Sequence, residues 1–171
     1  IMVGTEGHIY VFKNPRKLTV EVHFDVLEFC HRIPLEGRLS EDKVTLPLTD
    51  VLLSKLQMVE FTDRDACDLI VLLEKAGRGF ELRADGEDSI EESRLTKLLG
   101  NDWGAWYTVT RSLQAVDQWL DRFGRELESD SQTRVKSCVV QLTRLLSNCP
   151  KHLRWRLRGA IGNRFRWYET V

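Results

Sequence analysis

The 171-residue sequence has no apolar run approaching the ~18 uncharged residues of a membrane-crossing helix. Nor does its amino terminus carry a basic stretch followed by an apolar segment and a cleavage site. A membrane partner and a secretory route are therefore not expected, and the chain reads as cytoplasmic. Cysteine is sparse: Cys30, Cys67, Cys138 and Cys149 lie far apart in largely apolar surroundings and form no CxxC pair. Buried free thiols are expected in preference to disulfides or a zinc site. No two histidines have the spacing that places metal ligands on one helix face, which weakens a metal-dependent hydrolase built on His23, His31 and neighbouring acids. Repeats, low-complexity tracts and Gly/Ser-rich linkers are also missing.

What is present is ordinary globular composition, 42% hydrophobic and 30% charged, enough for one core or for a small domain with a helical extension. The net charge of −1 is unevenly spread. Residues 151–171 hold Lys151, Arg154, Arg156, Arg158, Arg164 and Arg166 against Glu169, a surplus of five that leaves the rest of the chain at −6. The sequence opens with Ile1-Met2-Val3-Gly4 and passes almost at once into strand-like residues, so a fragment or trimmed chain is expected.

Residues 8–12 and 18–29 are rich in β-branched and aromatic side chains and are separated by Lys13-Asn14-Pro15-Arg16-Lys17, which predicts a hairpin. A loop or brief strand is expected between residues 30 and 46. Pro47 suits the first turn of a helix running to Glu60, because its missing amide hydrogen would be unpaired there in any case. Thr62 can cap a second helix over residues 63–76, with Asp63 and Asp65 favouring the positive end of its dipole. After a turn-rich connection through Ala84-Asp85-Gly86-Glu87-Asp88, the chain reads as helical over residues 88–99, 103–126, 131–148 and 151–168. Trp106, Val109, Leu113, Val116 and Leu120 recur at spacings of three and four and so form one apolar stripe. The expected fold class is α+β, a small amino-terminal sheet followed by a helical bundle, with domains over residues 1–80 and 81–171.

Three constellations could carry chemistry. Along Val20-Glu21-Val22-His23-Phe24-Asp25-Val26, strand alternation places Glu21, His23 and Asp25 on one face. That is either the solvent face of a half-buried sheet or a carboxylate source for magnesium, which takes one or two protein oxygens beside substrate phosphates. Lys55 lies in a helix with little polar face and must snorkel or find an anion. Asp65 and Asp68, three residues apart, stack on one helix face; Asp65 fits a capping role, whereas Asp68 sits among apolar residues, where a salt bridge to Lys55 or Arg64 and a catalytic role are both open. In the basic tail, arginines interleave with Trp155, Phe165, Trp167 and Tyr168. Such a segment can grip RNA through phosphates and stacking, or close the fold as an amphipathic helix.

The run Leu52-Leu53-Ser54-Lys55-Leu56-Gln57-Met58-Val59-Glu60, followed by Asp63-Arg64-Asp65-Ala66-Cys67-Asp68-Leu69, resembles the downstream motifs of bacterial nucleotidyltransferase-like proteins, including the abortive-infection (AbiEii-type) toxin group. The Cys30-His31-Arg32 turn, the Asn101-Asp102-Trp103-Gly104 segment and the Trp155–Glu169 tail look like one bacterial branch of that superfamily. The resemblance implies a polymerase-beta-like nucleotidyltransferase fold and Mg2+-dependent transfer of a nucleotide from NTP to a hydroxyl of RNA, tRNA included, or of protein. It also implies a toxin–antitoxin setting with an antitoxin or an upstream catalytic domain as partner. Carried over by position, Lys55, Asp68 and Asp65 become catalytic and Glu21 or Asp25 a metal ligand, while the interleaved basic tail itself offers Arg154, Arg156, Arg158, Arg164 and Arg166 as candidate nucleic-acid contacts. The strand position holds glutamate at 21 where the family has aspartate. Its Gly-Ser turn and Asp-x-Asp strand have no counterpart before Glu21, so this chain is expected to be the carboxyl-terminal portion of such a protein and inactive alone. The alternative expectation is a noncatalytic helical domain that binds a protein or RNA partner.

Overall fold

Alternating β-branched and aromatic residues pair as expected near the amino terminus of the computed structural model, which describes residues 2–3, 9–13, 18–39, 45–78 and 89–169. Strand β2 (Ile9–Lys13) runs antiparallel to β3 (Thr19–His23), and a short β1 (Met2–Val3) joins the other edge of β2. The hairpin link at 14–17, the loop residues 40–44 and the turn-rich 84–88 fall outside the described residues. Tyr10 opposes Val22 and Phe12 opposes Val20, so these four share a face, while Ile9, Val11, Glu21 and His23 share the other. The apolar face is the open one: Phe12, Val20 and Phe24 are each nearly half exposed.

The single strand expected over residues 18–29 is broken. Asp25 takes φ 59°, a left-handed conformation in which aspartate is one of the few tolerated side chains, and the chain turns there. A second, two-stranded sheet follows, β4 (Val26–Glu28) against β5 (Arg32–Pro34), joined by a tight turn through Phe29-Cys30-His31. Asp25 therefore does not extend the β3 face of Glu21 and His23. Its carbonyl instead accepts the Leu35 amide at 2.6 Å, closing the base of the small hairpin.

The remainder is helical, so the α+β class holds. Helix α1 covers Leu48–Leu56, with Pro47 as its cap residue, and stops four residues before Glu60. Helix α2 covers Asp63–Arg78, α3 Glu92–Asn101, α4 Trp103–Phe123, α5 Ser129–Asn148 and α6 Leu153–Ile161. The stripe of α4 is buried as its spacing predicts: Val109, Leu113, Val116 and Leu120 face α2 and α5. Leu69 and Leu73 of α2, Leu52 and Leu53 of α1 and Leu142 of α5 complete a core that is continuous across residue 80. Each fully buried leucine stabilises the fold by roughly 1.5–3 kcal/mol relative to exposure. Helix α6 ends well short of residue 168. Gly162 adopts φ 65°, which reverses the chain, and residues 165–169 return across α4 as an extended strap. Among the described residues no helix is long and apolar enough to cross a membrane.

Candidate functional site

Lys55 and Asp68 meet where α1 and α2 pack, with Nζ 2.6 Å from Oδ2. Both side chains remain about two-fifths exposed, at 39% and 42%. The hydrogen bond from Lys55, with its positive charge, holds Asp68 below the usual carboxylate range. The lysine with little polar face has thus found its anion, and the two charges cancel. Asp65 is engaged at the helix start: its Oδ2 accepts from the Thr62 amide at 3.0 Å and the Thr62 hydroxyl at 2.6 Å, while Thr62 Oγ1 accepts the Asp65 amide at 3.3 Å. This is a reciprocal capping box with aspartate in the usual glutamate place.

Glu21 lies 4.0 Å from His23 Nε2 on the outer sheet, and Asp25 sits beyond the strand break, exposed. Among the described residues no group of three or more His, Cys, Asp or Glu side chains is arranged to hold a metal ion. Three of the four thiols are buried as expected, and burial pushes Cys138 up to about 11. Cys67 corrects that expectation, because its position on the outer side of α2 leaves it exposed.

The basic tail divides into used and unused charges. Arg158 donates to the carbonyls of Gly162 (2.6 Å), Phe165 (3.0 Å) and Arg166 (3.3 Å) and lies over the Trp103 ring, so it fastens the strap. Arg166 stacks on Tyr168. Arg154, Arg156 and Arg164 are exposed and have no ion-pair partner among the described residues. The inward face of α6 is Trp155, edge-on to Trp106 at 5.1 Å, and Gly159, where a side chain would collide with Trp103. With about 3.6 residues per turn, Leu153, Leu157 and Ile161 point the opposite way. They are 72%, 63% and 43% exposed, and Phe165 beyond them is 71% exposed.

Two polar clusters went unread in the sequence. In the first, Asp50 of α1 is fully buried between Arg38 Nε at 2.6 Å and Arg94, whose terminal nitrogen and Nε lie at 2.9 and 3.1 Å. Arg38 also holds Glu91, and Arg94 the Pro34 carbonyl, so two cations and two acids tie the β5 loop to the starts of α1 and α3. The only signal was an acid in a helix first turn, which ordinarily faces solvent. In the second, buried His31 places Nε2 2.8 Å from Thr108 Oγ1, which also accepts the Trp167 indole N–H at 3.1 Å. Burial pushes the imidazole below its ordinary value, against an opposing contribution from Asp102, so it is held neutral. His31, one of the residues a metal-dependent hydrolase would need, instead anchors α4 and the strap. The Gln57 side chain accepts the His31 amide at 3.0 Å.

Comparison with protein-family models, curated proteins and solved structures finds no match to this chain.

Proposed function

We propose that this chain is a noncatalytic helical interaction domain that docks an acidic, amphipathic protein segment on α6 and the strap. The observation that carries the reading is the outward stripe of Leu153, Leu157 and Ile161, continued by Phe165, on a helix whose other side is already packed. Arg154 and Arg156, without an ion-pair partner among the described residues, flank the stripe, and Arg164 stands beside Phe165. An apolar ridge between cations fits a helix that presents leucine-type side chains with carboxylates alongside. RNA would draw on the arginines but would leave three aliphatic side chains in water, so a protein partner fits the whole surface better. The neutral Lys55–Asp68 pair and the capping role of Asp65 support a noncatalytic reading, because each is satisfied within the fold.

Calorimetry with a synthetic helical peptide, bearing leucines at every third and fourth position with glutamates beside them, tests this reading. Saturable binding at low salt is expected, weakened at least about tenfold in a Leu153→Ser/Leu157→Ser variant and weakened again by added salt. Equal binding by the variant, or uptake of polyuridylate or phosphatidylserine vesicles without the peptide, would sink it.

Nucleotidyl transfer is the second reading, supported by the contact of Lys55 with Asp68, two residues that the resemblance makes catalytic. In that reading Lys55 exchanges Asp68 for a triphosphate, and a further carboxylate pair supplies the magnesium site. Magnesium-dependent NTP binding that a Lys55→Ala/Asp68→Ala variant loses would favour it over the interaction domain.

A further inference from the structure

A cleft of about 210 Å³ opens between the α1–α2 connection, α4 and the strap. Its apolar lining is Met58, Val59, Phe61, Ala115 and the Trp167 ring. Thr108, Arg111 and Ser112, three and four residues apart on one face of α4, contribute polar side chains. We infer that this cleft binds a small monocarboxylate carrying an apolar body.

Ser112 points to a ligand. Although only 2% exposed, its hydroxyl has no hydrogen-bond partner among the described residues. Elsewhere in the helices such hydroxyls are spent on the carbonyl four residues earlier: Thr110 on Trp106, Thr133 on Ser129, Ser147 on Thr143. Ser112 Oγ is not among the sealed, unpartnered polar atoms of the described residues, so the hydroxyl keeps surface on the cleft, where a bound molecule can reach it. Thr108 is different, since its oxygen is already shared by His31 and Trp167.

Arg111 decides the charge. Its guanidinium lies over the Tyr107 ring, 5.8 Å from the centroid, and no acid pairs with it among the described residues. No carboxylate is among the described lining residues, so one uncompensated cation calls for one negative charge, and the planar fork of arginine matches a carboxylate in two parallel hydrogen bonds. Size sets the remainder. At roughly 10–15 Å³ for each water-sized position, the cleft holds about 14–21 such positions, room for a carboxylic acid of about ten heavy atoms and too few for a nucleoside triphosphate. Phe61, Met58 and Trp167 then cover an aromatic or branched aliphatic body while Arg111 and Ser112 hold its carboxylate.

Trp167 provides the readout, because it is the only tryptophan among the described lining residues. The probes are phenylacetate and 4-methylpentanoate, with phenylacetamide as the neutral control and inorganic phosphate as the anion without an apolar body. Titration followed by the indole N–H resonance of Trp167, assigned by its loss in Trp167→Phe, should show saturable shifts with the two carboxylates. Arg111→Gln should weaken that binding at least about tenfold and Ser112→Ala about threefold; phenylacetamide should bind at least about tenfold more weakly than phenylacetate. Arg111 is exposed and the first variant keeps the fold, which the unchanged remaining indole resonances verify. The inference is overturned by the absence of saturable shifts with either carboxylate, by equal binding in Arg111→Gln, or by phosphate binding where phenylacetate does not.

Discussion

Asp50 and Asp68 are both helical acids beside apolar residues, and the fold treats them in opposite ways. Asp50, in the first turn of α1, is sealed from water and held by two guanidiniums, whereas Asp68, a turn inside α2, keeps two-fifths of its surface in solvent with one lysine. The sequence drew attention to Asp68 because its neighbours are apolar on both sides, and passed over Asp50 as an ordinary first-turn acid. Neighbours in sequence do not report which side of a helix meets another element. The partners of Asp50 lie 12 and 44 residues away, and no local pattern announces them.

The sharpest way to test that contrast is to remove the buried carboxylate. Asp50→Ala leaves the two cations Arg38 and Arg94 with Glu91 as the one remaining acid of the cluster. Breaking a buried ion pair by removing one partner costs about 3–5 kcal/mol, so urea unfolding should lose stability on that scale. A loss comparable to that of Asp68→Ala would erase the distinction between the two acids. Loss of the Arg94 contacts should also release the Pro34 carbonyl, which hydrogen exchange near β5 would register.

His31 extends the comparison to a buried group that avoids charge instead of balancing it. Unfolded, the imidazole takes up its proton near its ordinary 6.5; folded, burial lowers that value. As pH falls below about 6.5, the unfolded chain binds a proton that the folded chain refuses. The stability from neutral His31 is therefore complete above that pH and lost as pH falls towards the folded value, with a slope of at most about 1.4 kcal/mol per pH unit. The stability difference between the wild-type chain and His31→Gln should narrow from pH 7.5 to pH 5.5. A constant difference would mean that His31 titrates alike in both states.

Much of the architecture was legible in local pattern. The α4 stripe, the Thr62 cap, the hairpin of β2 and β3 and the need of Lys55 for an anion all follow from spacing, turn chemistry or hydropathy within a dozen or so residues. What escaped depends on single backbone angles or on distant partners. Alternation runs unbroken through Val22-His23-Phe24-Asp25-Val26, yet φ 59° at Asp25 parts the two sheets. A helical composition continues to Tyr168, yet Gly162 turns the chain into the strap, and only that return creates the cleft between Trp167 and α4. As an amphipathic closing helix the tail should pack its aromatics, and Trp155 does pack on Trp106; no local pattern shows that Leu153, Leu157 and Ile161 are left facing away from the fold.

Removing Lys55 or Asp68 should have the smallest effect. Asp68 sits below the usual carboxylate range because Lys55 donates to it and lends it positive charge, so the pair favours folding above the unfolded carboxylate value and loses that contribution as pH falls through the lowered one. Water and salt screen both groups, and ordering a long lysine side chain opposes the attraction. Lys55→Ala and Asp68→Ala, with the double variant to close the cycle, should therefore each unfold close to the wild-type midpoint, with a coupling that fades further in high salt. A coupling that persists in salt would place the pair with Asp50 as a structural anchor. If, instead, the single variants keep stability but change binding of the acidic peptide or of magnesium-bound NTP, the exposure of this pair is a functional property, and the difference between the two acids is one of purpose as well as burial.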